Sequence, residues 1–100
     1  MALEYVQTGD ILYANLSGEL DEYTAADVRQ SLDSLISSKR FRCLVLDFRN
    51  VAFMDSTGVG IVLGRYKKLK KNGQALLIKN PNSQVYKVFK TCGLQDILDI

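Results

Sequence analysis

The spacing of apolar positions changes along the chain, and each change marks a predicted element. Leu12, Ala14 and Leu16 alternate with Tyr13, Asn15 and Ser17, the period of two that buries one face of a strand. With Thr8-Gly9-Asp10 as a turn ahead of them, the first 20 residues read as two short strands, the second broken by Gly18-Glu19-Leu20-Asp21. Over 21–40 the period becomes helical. Ala25, Val28, Leu32, Leu35 and Ile36 fall on one face at spacings of three and four. Asp21, Glu22 and Asp27 near the start and Lys39 and Arg40 at the end complement the helix dipole. CLVLDF (43–48) is a continuous apolar run ending around Asp47, the pattern of a central strand covered on both faces.

A second helix is predicted from about Ser56 to Asn72, stopped by Gly73 in a left-handed terminal position. Val59, Val62, Leu63, Tyr66 and Leu69 form its apolar face. ALLIK (75–79) is a further central strand. Asn80-Pro81-Asn82-Ser83 opens a third helix with Asn82 or Asn80 as its cap. Val85, Val88, Phe89 and Cys92 line that helix, Gly93 ends it, and a last strand is expected at about Ile97–Ile100. The order β-β-α-β-α-β-α-β predicts an α/β fold with a mostly parallel sheet. In such sheets the functional crevice lies beyond the carboxyl ends of the strands. Leu20–Asp21 and Phe53–Thr57 both fall in loops of that kind.

Composition narrows the function. One hundred residues make a single domain, 1–100, long enough to bury roughly 60–70% of the surface of the unfolded chain. A net charge of +2 does not suggest nucleic acid. The cluster KKLKK (67–71) is explained by the end of the second helix, where each cation is favoured by roughly 0.3–1 kcal/mol. No signal peptide and no membrane-spanning apolar run is visible, and a reduced, cytoplasmic location is expected. Cys43 and Cys92 have no metal-ligand spacing and read as small buried hydrophobes. Histidine is absent, which removes Ser-His triads, histidine acid–base chemistry and most zinc sites. Neither a metal nor a cofactor is expected.

The stretch FMDSTGVGIVLG (53–64) places Asp55, Ser56 and Thr57 at the mouth of the second helix. A helix cap accounts for one such residue, but not for three in a row or for glycines at 58 and 60. Gly58-x-Gly60-x-x-x-Gly64 lies near the dinucleotide fingerprint with one residue too many, and no acidic partner follows about 20 positions on. A small nucleotide-binding or hydrolytic domain using the Asp55-Ser56 helix start is therefore the alternative reading. The third reading is a phosphoacceptor: a phosphate there adds about −1.5 to −2 charges beside Asp55. The backbone N–H groups of the helix start would tolerate it, whereas a docked partner would not. Asp47 invites comparison with the aspartate of a receiver domain, with Glu19 and Asp21 as weak imitations of its metal ligands. It reads better as a strand-end residue bound to nearby backbone or a cation.

Three segments, SGELDEYTA (17–25), LVLDFRNVAFMDSTGVGIVLGRYKKLKKNG (44–73) and KVFKTCGLQDIL (87–98), together resemble the STAS family. More narrowly, they resemble its bacterial anti-sigma factor antagonists of the sporulation and general-stress type. FMDSTGVG is the most specific block, and GELD at the exit of the second strand supports it. The resemblance implies a mixed sheet with helices packed on it. It implies a protein without catalysis of its own that binds an anti-sigma factor, an ATP-bound serine kinase, and so frees a sigma factor. The kinase would then phosphorylate Ser56, the serine directly after the motif's aspartate, and a PP2C-type phosphatase would restore the complex. Asp21, Thr24, Asp55 and Thr57 match positions on or beside the kinase-facing surface. Gly58 and Gly60 would let the backbone approach closely. Two departures stand out. Thr57 replaces a second serine common in the motif. The chain ends at Ile100 where many relatives continue into another helix, so that helix is expected to be absent and part of the sheet less covered. STAS domains also occur as modules on anion transporters and in stress-sensing assemblies; a chain of this length favours the stand-alone regulator.

Overall fold

In the computed structural model, which describes residues 2–97, the tight turn at Gly9-Asp10 joins β1 (Ala2–Thr8) and β2 (Ile11–Leu20) into an antiparallel hairpin. Gly9 takes the left-handed conformation, φ +59°, that the turn requires. The chain continues through α1 (Ala25–Ser38), β3 (Cys43–Met54), α2 (Ser56–Lys71), β4 (Ala75–Lys79) and α3 (Ser83–Thr91) to a 3₁₀ turn at Gln95–Ile97. The sheet order is β1-β2-β3-β4, with β2–β3 and β3–β4 parallel. This is the mixed, mostly parallel α/β fold that the sequence predicts. Of the expected last strand, Ile97 sits in the 3₁₀ turn and positions 98–100 lie outside the described residues.

One core holds the layers together. Leu12, Ala14 and Leu16 of β2 meet Leu44, Leu46 and Phe48 of β3, and the apolar stripes of all three helices close over them. Burying each such side chain contributes about 1.5–3 kcal/mol relative to leaving it exposed. Phe48 and Phe89 tie α3 to the sheet with ring centroids 5.8 Å apart. On the other face Val6, Tyr13, Val45 and Leu77 stand in register across all four strands. There Val6 is 64% exposed, and Val45, though 4% exposed, lies outside the core cluster that the helices share with Leu44, Leu46 and Phe48, so the helices do not cover both faces of β3 alike, against the expectation.

Several boundaries move, each for a physical reason. α1 begins at Ala25 instead of Asp21, because Asp21 and Thr24 hydrogen-bond the intervening turn and Thr24 O accepts the first helical bond from Val28 N. Lys39 and Arg40 fall just beyond its end, and Lys39 Nζ lies 5.1 Å from the Tyr5 ring. β3 runs on to Met54, well past Phe48. Its pairing with β2 shifts register twice, between Asn15 and Ser17 and between Gly18 and Glu19, and β3 gains one residue at each break. Asp47 consequently lies inside the strand, where its Oδ1 accepts from Arg49 N (2.9 Å) and Asn80 Nδ2 (3.1 Å). On α2, Ile61 is buried, and Leu63 and Tyr66 are only partly so. Cys92 is exposed and Cys43 half-buried, against the expectation of two core thiols.

Candidate functional site

The carboxyl ends of β2 and β3 are in register at Leu20 and Met54, and Asp55 N donates to Leu20 O (3.2 Å). The two loops singled out in the sequence are thereby stitched together at one end of the sheet. Asp55 then takes an extended conformation and caps α2. Its Oδ1 accepts from Thr57 N (2.9 Å) and Gly58 N (3.3 Å). A charged cap on two backbone donors is the strong form of this interaction. Two of the donors at the helix start, Thr57 N and Gly58 N, are thus engaged by Asp55. Ser56, the first helical residue, is exposed beside the cap, and Thr57 is half-buried.

The adjoining β2–α1 turn is ordered from within. Asp21 Oδ1 accepts from Tyr23 N (3.0 Å) and Thr24 N (3.1 Å). Thr24 Oγ1 accepts from Asp21 N (3.1 Å) and donates to Glu19 O (2.9 Å). Both side chains therefore fix the shape of a turn whose outer surface is Glu22 and Tyr23, the latter 89% exposed. Phe53, 42% exposed, is paired in register with Glu19. An acidic rim carrying two aromatic rings results.

The two glycines do different things. A Cβ on Gly58 would collide with Met54 Cγ and lie 2.9 Å from Leu20 O, so this glycine lets α2 press onto the strand ends. Its clearance serves the domain's own packing. Gly60, four residues after Ser56 and so on the same side of the helix, has open space around its Cβ position.

The third helix also reaches the site. Gln84 pairs with Met54 as another strand would: Nε2 donates to Met54 O (2.8 Å) and Oε1 accepts from Met54 N (3.1 Å). Asn82 caps α3 by accepting from Val85 N (2.8 Å) and donates to Val51 O (3.2 Å). Between α3 and the start of α2 lies an open groove of about 520 Å³, lined by Ser56, Ser83, Lys87, Val88 and Cys92 among others. Gln84 and Lys87 were not singled out by the sequence pattern, since polar residues on a helix look merely solvated. Among the described residues no cluster of three metal-ligating side chains occurs, and no helix is long and apolar enough to cross a membrane.

The STAS domain model matches residues 2–100. The chain belongs to the STAS domain family. This STAS domain is 37% identical over 90 residues to the anti-sigma F factor antagonist of Paenibacillus polymyxa, covering 90% of the chain and 77% of that protein. It is 34% identical over 94 residues to the anti-sigma-B factor antagonist of Bacillus subtilis, covering 94% and 84%. In three dimensions it is similar to the anti-sigma factor antagonist SpoIIAA in its unphosphorylated form, with a TM-score of 0.83 at 30% identity over 98% of this chain and 86% of the other. The phosphorylated form of SpoIIAA superposes with a TM-score of 0.75 at 29% identity, covering 98% and 89%. The STAS fold thus places GELD and the DSTG block at one end of the sheet.

Proposed function

We propose that the chain is a cytoplasmic anti-sigma factor antagonist whose binding is switched off by phosphorylation of Ser56. The observation that carries this reading is the division of labour between neighbours. Asp55 holds the helix, Gly58 packs it, and Ser56 is left exposed with no structural task. The names of its relatives, and the existence of SpoIIAA in two phosphorylation states, support it. The partner is an anti-sigma factor that is itself an ATP-bound serine kinase, docked on the end of the sheet formed by Asp21–Thr24 and Asp55–Gly60. Ser56 Oγ attacks the γ-phosphorus of the bound ATP, the bond to ADP breaks with its electron pair leaving on ADP, and the hydroxyl proton passes to a base of the kinase. The added charge of about −1.5 to −2 beside Asp55, Asp21 and Glu19 then repels whatever accepted the unmodified acidic rim. A PP2C-type phosphatase hydrolyses the phosphoserine and restores binding.

Incubation with the cognate kinase and ATP followed by mass spectrometry is expected to place a single phosphate on Ser56, and Ser56→Ala is expected to stay unmodified. Ser56→Asp is expected to weaken kinase binding while shifting stability by no more than about 0.5 kcal/mol, as exposed substitutions do. A phosphate found elsewhere, or equal labelling of Ser56→Ala, would sink the reading.

A further inference from the structure

We infer that Lys87 is the counter-ion that holds the phosphate of modified Ser56, in the groove between α2 and α3. The inference rests on Ser56 being the acceptor. A phosphate at a helix start ordinarily takes the free backbone donors. Here Asp55 Oδ1 already accepts from Thr57 N and Gly58 N, and its carboxylate repels a second anion from the same donors. The phosphate therefore turns away from the cap and into the adjoining groove, where Lys87 is the single charged residue of the lining.

The groove is shaped to receive it. Ser83 and Lys87 are four residues apart on α3 and share one side of the helix, and both line the groove together with Ser56. Gln84, between them in the chain, is held by both of its amide atoms to the Met54 backbone. That double bond fixes α3 relative to Met54-Asp55-Ser56 before any phosphate arrives, so little ordering is needed when it does. Val88 and Cys92 form an apolar wall further along, and a charge pair against such a wall is less screened than one in open water. Lys90 also lies on α3, outside this lining. It provides a cation on the same helix that the inference leaves without a role.

The test uses the full chain with phosphoserine installed at position 56 during synthesis, so that it does not depend on any kinase. The second ionisation of the phosphate, ordinarily near about 6, is followed by ³¹P NMR in three backgrounds: otherwise wild type, Lys87→Gln and Lys90→Gln. Removing Lys87 is expected to raise that pKa by about half a unit, the scale of one exposed opposite charge, while Lys90→Gln leaves it unchanged. Salt at about 1 M, with a Debye length near 3 Å, is expected to shrink the difference. The amide resonances of Thr57 and Gly58 are expected to keep their capped positions on phosphorylation. Equal titrations for Lys87→Gln and wild type would overturn the inference. So would large shifts of the Thr57 and Gly58 amides showing that the phosphate had displaced Asp55. Since both lysines are exposed, melting curves of the variants should coincide and confirm that folding is not the variable. Failure here leaves the kinase reading of Ser56 standing, and an unlabelled Ser56 in the kinase assay leaves the ³¹P result standing.

Discussion

At the scale of single residues, the DSTG block combines three demands that a sequence cannot separate. Asp55 satisfies backbone donors, Gly58 relieves a collision, and Ser56 does neither. The two glycines make the distinction measurable. Gly58→Ala forces a methyl group against Met54 and Leu20, and overpacking of this kind costs about 1–3 kcal/mol. A domain of this size loses about 4–8 °C in melting temperature per kcal/mol, so the variant should melt visibly lower by calorimetry. Gly60→Ala meets open space in the body of a helix and should gain about 0.5–1 kcal/mol. If a partner's backbone packs at this point, Gly60→Ala binds it more weakly although the domain itself is more stable. From the sequence both glycines look alike, as clearance for something docking from outside. Only the position of Met54 behind the helix separates them.

At the scale of elements, α1 and α2 are joined on their outer sides by one ion pair. Arg65 grips Asp33 with Nη2 2.8 Å from Oδ2 and Nε 3.0 Å from Oδ1. This fork lowers the Asp33 pKa, chiefly through the hydrogen bond from Arg65, with the charges of Arg65 and Lys68 assisting and partial burial opposing. A carboxylate whose pKa is depressed by folding adds stability above its unfolded pKa, and that contribution fades as the pH falls through the folded value. Chemical denaturation is therefore expected to show wild type losing stability below about pH 4 more steeply than Asp33→Asn. The effect is modest, because the aspartate is 42% exposed and solvent screens the pair. The elements themselves were largely legible, since strong periodicity and caps such as Asn82 and Gly73 mark them directly. β3 was not, for a specific reason. Its two extra residues put Phe48, Val51 and Met54 on the core side at intervals of three, which breaks the period of two that identifies a strand. The start of α1 was misplaced because Asp21, an acidic residue suited to a helix start, binds the N–H groups of Tyr23 and Thr24 in a turn.

At the scale of the whole molecule, the crossovers carry unlike charges to opposite ends. Lys39, Arg40 and Arg42 follow α1, and Lys67, Lys68, Lys70 and Lys71 close α2. The start of β4 is tied to this end by Ala75 N donating to Arg42 O (2.9 Å). Glu19, Asp21, Glu22 and Asp55 occupy the end that bears Ser56. The site's two loops could be paired from the sequence because parallel topology sends strand exits to one edge. The contribution of α3 could not, since it depends on Gln84 finding a backbone thirty residues away.

The two register breaks in the β2–β3 ladder bear on how the domain comes apart locally. They leave a regular block, 11–15 with 43–47, and beyond it two short pieces, 17–18 with 50–51 and 19–20 with 53–54, that lead into the Asp55-Ser56 helix start. Hydrogen bonds beyond an irregularity are free to open without the rest of the sheet. Amide exchange should accordingly run faster at Gly18, Glu19 and Phe53 than at Leu12, Ala14 and Leu46, in the same native protein. A docked partner should slow the first group and leave the second untouched. The end of the sheet that is read by others would then be its own opening unit, hinged on two surplus residues.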